Sequence, residues 1–225
     1  MRIASFFSCL AAGLAVLSAT PAQAVVFQID VDTTVVNGVA GASPLITQAG
    51  WTSLDATNSN GSSVTVAGTT FTAFSADGSR LRSGTNGGTA LTRDFIFDDG
   101  ANQAVGLQVF NLPVGLWQVE VWSWDDTFPT GNQIVGITRF QAGPEIIYTN
   151  TFTPNPTTPF TFIVDTRTTV LPDGFGIFTR ENNSQDRARF NALRMTNLVP
   201  EPTTAGLGML GAAALLARRR RSSSH

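Results

Sequence analysis

The chain has 225 residues, and its composition already excludes several kinds of chemistry. All 14 basic residues are arginine, the single cysteine is Cys9 and the single histidine is His225. Residues 25–198 therefore offer no disulfide, no thiolate or imidazole metal ligand, no serine–histidine or cysteine–histidine catalytic pair and no Schiff-base lysine. These 174 residues carry nine arginines and 15 acidic residues, a net charge of −6, which argues against nucleic acid as a partner.

The first 24 residues predict a secretory signal peptide. Arg2 supplies a short positive segment, residues 4–17 are apolar, and Ala22-Gln23-Ala24 has the small-x-small pattern of a cleavage site. We therefore expect export of the protein by the secretory machinery, with cleavage after Ala24. Cys9 lies inside the apolar segment and not at the cleavage point, so no lipid anchor is expected.

Residues 25–198 predict a single all-β domain. Short runs rich in Val, Ile, Thr and Phe are separated by Gly, Pro, Asn and Asp, and no stretch keeps a 3.6-residue period. Many short strands without helices favour a β-sandwich, specifically a jelly roll. The predicted strands are, in chain order, Val26–Asp32, Gly50–Leu54, Ser63–Ala67, Thr70–Phe74, Leu91–Phe97, Val105–Asn111, Leu116–Trp124, Ile134–Phe140, Ile146–Phe152, Phe160–Val164, Phe175–Thr179 and Ala188–Met195.

The C-terminus predicts a short transmembrane helix. Residues 205–217 are uncharged and would span about 20 Å as a helix, less than the roughly 30 Å core of a membrane. Four arginines follow, which would hold this end on the cytoplasmic side of the membrane: Arg218, Arg219, Arg220 and Arg221. Residues 222–225 form a tail.

Pro200, Glu201 and Pro202 precede this helix, and the three parts in this order resemble the PEP-CTERM sorting signal, also named the ice-binding-protein C-terminal motif. The resemblance covers residues 199–221. It implies recognition by an exosortase-type protease, processing near the Pro-Glu-Pro sequence, and delivery to the cell envelope, outer surface or exopolysaccharide matrix. The helix would anchor the chain in the membrane before processing. A plain C-terminal anchor that is never removed is the alternative.

Three short patterns in the body resemble malectin-like and galactose-binding-like jelly rolls. Leu112–Val121 has a Leu-Pro-x-Gly-x-aromatic-x-Val turn and strand, Arg93–Asp99 is similar to the strand before it, and Phe190–Met195 is similar to the closing strand. The resemblance implies a jelly-roll fold. It also implies that some relatives hold a structural calcium ion near the sheet edge.

The strand that begins at Leu116 carries the candidate ligand site. Alternation directs Trp117, Val119 and Val121 toward the core. The other face combines indole rings with a carboxylate and an amide, which suits the apolar faces and hydroxyl groups of a sugar ring. The candidate ligand-binding residues are Gln118, Glu120, Trp122, Trp124, Asp125 and Asp126. The alternative is that both tryptophans pack beneath a loop or the second sheet.

Further charged residues leave two interpretations open. Oxygen ligands suit Ca²⁺, so the candidate metal ligands are Asp30, Asp32, Asp98 and Asp99, although no EF-hand spacing is present and Asp is common in solvated turns. Arg80, Arg82 and Arg93 are expected either to recognise acidic sugars or to pair with their sequence neighbours Asp77, Asp94 and Asp98.

Together these observations predict an exported, non-enzymatic β-sandwich that binds carbohydrate, with polysaccharide or other matrix components as partners. No cofactor is expected apart from a structural calcium ion. One alternative is a structural or adhesive matrix protein without a small ligand. Another is a glycosidase or lyase, which would have to use carboxylates alone, such as Glu120 with Asp125 or Asp126. Exposed Trp122 and Trp124 would favour carbohydrate binding, and a buried pair the structural role.

Overall fold

A computed structural model describes residues 24–74, 76–82, 89–100, 103–126, 131–139, 145–168, 174–182 and 187–198. The predicted signal peptide up to Gln23 and the whole predicted sorting signal, with Pro200, Glu201, Pro202 and Arg218–Arg221, lie outside the described residues. Ala24 is exposed and lies two residues before the first strand. Within the described ranges, no helix combines the length and the apolar character needed to cross a membrane.

Strands form almost all of the regular structure in the described residues, as the sequence predicts. They are β1 (Val26–Asp32), β2 (Thr52–Asp55), β3 (Ser63–Val66), β4 (Thr69–Phe74), β5 (Gly78–Leu81), β6 (Asp94–Asp98), β7 (Ala104–Phe110), β8 (Leu116–Trp122), β9 (Gln133–Arg139), β10 (Glu145–Phe152), β11 (Phe160–Asp165), β12 (Phe175–Glu181), β13 (Ala188–Phe190) and β14 (Ala192–Asn197). One 3₁₀ turn, Ala90–Thr92, precedes β6.

Apart from strand ends that differ by one or two residues, the strand prediction was wrong at three places. It missed β5, which is short and polar, and it began β6 too early, where the 3₁₀ turn lies. The predicted strand Ala188–Met195 is two strands, because the chain changes partners at Asn191: β13 pairs with β6, whereas β14 pairs with β1 and β8. The Asn191 N–H donates to the Trp122 carbonyl, and the Asn191 carbonyl accepts from the Val31 N–H.

The strands form two large sheets and one small sheet. The five-stranded sheet has the order β11-β8-β14-β1-β2, and the six-stranded sheet has the order β10-β9-β12-β7-β4-β3. All pairings are antiparallel except β1 with β2. The small sheet has the order β13-β6-β5.

The two large sheets pack face to face as a β-sandwich. Phe27 of β1 contacts Phe71 of β4 across the sandwich, with ring centroids 5.5 Å apart, and stacks at 5.6 Å on Trp117 of β8 in its own sheet. All three rings are buried, and burying each large side chain contributes roughly 1.5–3 kcal/mol. Val26–Leu198 form one compact unit around this core.

The small sheet lies beside the carboxyl end of β1. The Thr33 N–H donates to Asp94 Oδ2 at 3.3 Å, and the hydroxyl groups of Thr33 and Ser79 lie 2.8 Å apart. The Leu81 N–H donates to the Val35 carbonyl at 2.8 Å. These contacts bring β5 and β6 to the end of the five-stranded sheet at which β8 also finishes.

Candidate functional site

Strand β8 divides its side chains between two environments, as its alternation predicts. Trp117, Val119 and Val121 are fully buried in the core between the sheets. Gln118, Glu120 and Trp122 belong to the outer face of the five-stranded sheet. The strand ends at Trp122, two residues earlier than predicted.

Polar and apolar side chains form ordered rows across this outer face. In one row Glu120 lies opposite Thr161 on β11 and Arg194 on β14. In the next row Gln118 lies opposite Ile163 and Thr196. Side chains directly opposite one another in an antiparallel pair are in contact, so the residues of each row interact with one another.

An ion pair fixes the centre of the outer face. Both Nε and Nη2 of Arg194 donate to the carboxylate of Glu120, in the two-bond geometry that orients a guanidinium most strongly. The hydrogen bond with Glu120 raises the pKa of Arg194. Its Cζ atom lies 5.6 Å from the centroid of the Trp122 ring, within cation–π distance.

Trp122 is covered by a second tryptophan. The two ring centroids of Trp51 and Trp122 lie 5.2 Å apart with their planes at 85°, an edge-to-face contact. Leu91 and Ala192 complete the cluster, and Trp122 keeps only 6% of its surface exposed. Trp122 is therefore not an open stacking platform. Trp51 is only partly buried, so it is the indole ring that faces solvent in this cluster.

Two buried aspartates on β1 hold the turn that carries Trp51. The Gln48 N–H donates to Asp30 Oδ2 and the Thr47 hydroxyl donates to Asp32 Oδ2, both at 2.6 Å. The Trp51 N–H then donates to the Gln48 carbonyl at 3.0 Å. The position of Trp51 over Trp122 thus depends on side chains of β1, and local sequence reasoning did not identify this role.

Asp30 and Asp32 share their surroundings with Asp94 of β6. All three carboxylates are almost fully buried, and the Oδ1 atom of each lacks a hydrogen-bond partner. Burial, together with the nearby Asp32 carboxylate, raises the pKa of Asp30 from its ordinary 3.8 to about 8. Burial also raises the pKa of Asp94 to about 7 and that of Asp32 in the same direction. Proton uptake by these carboxyl groups avoids unpaired buried charge.

The four candidate calcium ligands fall into two groups. Asp30 and Asp32 belong to the cluster with Asp94, whereas Asp98 and Asp99 lie near Asp77 and the Gly100 N–H donates to Asp98 Oδ1 at 2.6 Å. Across the described ranges, no group of three or more His, Cys, Asp or Glu side chains has an arrangement that could hold a metal ion. Calcium binding stays a prediction from the sequence.

The predicted loop residues after β8 have three different environments. Asp125 is fully buried and binds Arg82 through two hydrogen bonds of 2.9 and 2.6 Å. Trp124 is half-buried, and its backbone N–H donates to Asn191 Oδ1 at 2.6 Å. Asp126 is exposed. Arg82 therefore pairs with an acid 43 residues away and not with Asp77, Asp94 or Asp98, as its sequence neighbours had suggested.

Comparison with known proteins finds similarity at the level of structure. No protein-family model matches the chain, and no curated protein sequence matches it. A solved structure of a calcium-binding mutant of Bacteroides uniformis beta-glucuronidase 2 superimposes with a TM-score of 0.45 and 10% identity, over 80% of this chain and 19% of that one. This chain thus spans about a fifth of that protein's length.

Proposed function

We propose that this protein is an exported, non-catalytic β-sandwich of the jelly-roll, galactose-binding-like type that binds carbohydrate. The observation that carries the proposal is the outer-face patch, defined as Trp51, Trp122, Glu120, Arg194 and Gln118. It places a partly exposed indole beside a fixed guanidinium–carboxylate pair and an amide. Pyranose rings offer an apolar face for stacking and hydroxyl groups for hydrogen bonding, and the patch offers both kinds of contact.

The six predicted ligand residues take different roles in this proposal. Gln118 is partly exposed on the outer face, and Asp126 is exposed just beyond Trp124. Gln118, Trp124 and Asp126 would contact the sugar. Trp122 and Glu120 would act as positioning residues for Trp51 and Arg194, and Asp125 would position Arg82.

The non-catalytic part of the proposal is supported by the state of the carboxylates. A glycosidase needs two carboxyl groups that flank a cleft, one of them able to donate a proton. Glu120 and Asp125, two of the three acids that sequence reasoning offered for this role, each bind an arginine through two hydrogen bonds.

Export and surface delivery are proposed from the two ends of the sequence. The signal-peptide pattern supports secretion, and the Pro-Glu-Pro, helix and arginine order supports processing by an exosortase-type protease. In that setting the ligand would be a polysaccharide of the envelope or the extracellular matrix.

A glycan array tests carbohydrate binding and the patch together. We expect the purified protein to bind a subset of polysaccharides and Trp51→Ala to weaken that binding by ~1–3 kcal/mol, by analogy with aromatic stacking on bases. Ile147→Ala, which removes an exposed apolar side chain from β10 of the other sheet, is the control and should bind normally. Absence of binding to any glycan, or equal binding by Trp51→Ala, would refute the proposal.

An adhesive role without a small ligand is the second candidate, and edge strand β10 favours it. In the described residues β10 pairs with β9 on one side only, and Ile146 and Ile147 are 51% and 38% exposed. Such an edge can pair with another copy of the chain. Sedimentation at increasing concentration distinguishes this candidate: self-association abolished by Ile147→Lys, in a protein that binds no glycan, would favour adhesion.

A further inference from the structure

A surface pocket of about 300 Å³ lies outside the outer-face patch. Its walls come from the segment after β1, the turn after β2, strand β5 and one residue of β6. The lining residues are Val35, Gly38, Ala40, Thr57, Ser59, Gly78, Ser79, Arg80 and Phe97. The volume is at the small end of the range for small-molecule sites, roughly 300–1,000 Å³, which suits a single sugar ring.

Arg80 is the charged side chain of this pocket, and Phe97 holds it in place. The Arg80 Cζ atom lies 5.2 Å from the centroid of the Phe97 ring. Gly78 makes room for that ring, since a Cβ atom there would lie 2.8 Å from Phe97 Cζ. A guanidinium stacked on an aromatic face keeps its N–H groups directed outward in its own plane, where they can bind an acceptor.

Arg80 also lacks the acidic partner that its neighbours have. Arg82 binds Asp125 and Arg187 binds Asp99, whereas Arg80 has no ion pair with any described residue. Arg187 lies against the same aromatic ring, with its Cζ atom 5.1 Å from the Phe97 centroid.

The electrostatic surroundings of Arg80 favour an anion. Burial and the guanidinium groups of Arg82 and Arg187 lower the pKa of Arg80, and the carboxylates of Asp125 and Asp99 only partly oppose this. Because both of those carboxylates are already paired, a bound anion would relieve the repulsion among the three cations.

We propose that this pocket binds the carboxylate of an acidic sugar residue, a uronic acid, with Arg80 as its anion-binding residue. A monoanionic carboxylate matches the Arg80 guanidinium in charge and in its two-oxygen geometry. Thr57, Ser59 and Ser79 also line the pocket that the ring would occupy. This inference rests on the proposed carbohydrate binding and adds the ligand class and a second subsite.

Calorimetric titration with three probes tests the proposal: glucuronate, glucose as the neutral sugar and sulfate as an anion without a ring. We expect glucuronate to bind at least about tenfold more tightly than glucose, since a hydrogen-bonded charge pair is worth that much, and more tightly than sulfate, which has no ring to fill the pocket. Arg80→Gln should lose this preference, and Arg80→Lys should recover part of it because the charge returns without the planar fork. Arg167→Gln is the matched control, since Arg167 is exposed and bound to Asp165.

Each other outcome overturns a stated part of the inference. If sulfate binds as tightly as glucuronate, the pocket is a general anion site. If glucose binds as tightly, the charge does not contribute to recognition. If folded Arg80→Gln binds glucuronate as tightly as the parent, Arg80 is not the anion-binding residue. Trp51→Ala separates this inference from the proposed function. Loss of polysaccharide binding in Trp51→Ala with glucuronate binding intact supports two subsites, while polysaccharide binding without any glucuronate binding refutes the acidic subsite alone.

Discussion

The buried cluster of Asp30, Asp32 and Asp94 predicts an unusual pH dependence of stability. The pKa of Asp30 is about 8 in the folded chain against an ordinary 3.8, so the folded protein holds a proton that the unfolded chain releases across this window. The unfolding free energy must therefore fall as the pH rises from about 4 to about 8, and become flat above it. This pH dependence involves the turn that carries Trp51, because Asp30 accepts a hydrogen bond from the backbone N–H of Gln48 in that turn.

The magnitude follows from proton linkage. One proton contributes about 1.4 kcal/mol per pH unit, so Asp30 alone accounts for a loss of about 4 kcal/mol between pH 5 and pH 8. For a domain of this size that corresponds to a fall in melting temperature of roughly 8–16 °C. Asp94, with a pKa of about 7, adds a loss of the same sign at lower pH. The carboxyl groups titrate as a coupled set.

Asp30→Asn is the perturbation that isolates this effect. The amide keeps the shape of the side chain and stays neutral at every pH, so its melting temperature should fall much less between pH 5 and pH 8 and exceed that of the parent at pH 8. Asp165→Asn is the control. The hydrogen bond from Arg167 lowers the pKa of Asp165 to about 2, so this partly exposed residue has finished titrating below the window.

Thermal melts of the three proteins at pH 5, 6, 7 and 8 provide the assay. A parent melting temperature that rises or stays constant from pH 5 to pH 8 would show that Asp30 does not keep a proton in the folded chain. So would an Asp30→Asn variant whose slope equals that of the parent, because the proton would then reside elsewhere.

Four further predictions follow from the fold and the two ends of the chain. Trp122→Ala should lower the unfolding free energy by about 3–5 kcal/mol in denaturant titrations, since it removes a buried ring; a loss below 1 kcal/mol would contradict its burial. Asn191→Ala should lower the unfolding free energy by about 1–3 kcal/mol for each of the two groups left without a hydrogen bond, the Trp124 backbone N–H and the Asp94 carbonyl, and Asn191→Asp should restore part of this loss. Gly106→Ala should give insoluble protein, because its Cβ would lie 2.0 Å from the Ile177 carbonyl oxygen; a normal melt would contradict the strand packing. Changing Arg218–Arg221 to Ser should reduce membrane retention and C-terminal processing, and unchanged fractionation with an unchanged C-terminus would contradict the sorting prediction.

Local periodicity was sufficient to predict most of the strands but not the surface that they form. The alternation of Trp117, Val119 and Val121 follows from the two-residue period of a strand, and their complete burial confirms it. The short polar strand β5 was missed because Gly78–Leu81 has no apolar run. Its edge position in the small sheet depends on pairing with β6 and on the bond to Val35, which no local pattern shows.

The candidate site needed contacts between distant segments, and therefore only part of it was predictable. Gln118, Glu120 and Trp122 could be assigned to one face, but the cover over Trp122 comes from a turn held by Asp30 and Asp32. Sequence reasoning identified these aspartates only as metal candidates. A tryptophan directly after a glycine turn, as at position 51, was the available signal for the missing ring.

Nuclear magnetic resonance of the indole N–H groups tests carbohydrate binding at the outer-face patch residue by residue, because the chain contains four tryptophans and each gives one indole N–H signal. During titration with a glycan selected on the array, we expect the Trp51 signal to shift most. The signal of Trp122, whose ring contacts that of Trp51, should shift less. The Trp117 signal should not move, since its indole N–H is bonded to the Pro113 carbonyl at 3.0 Å and its ring is buried. An unmoved Trp51 signal at saturating glycan would contradict carbohydrate binding at the outer-face patch.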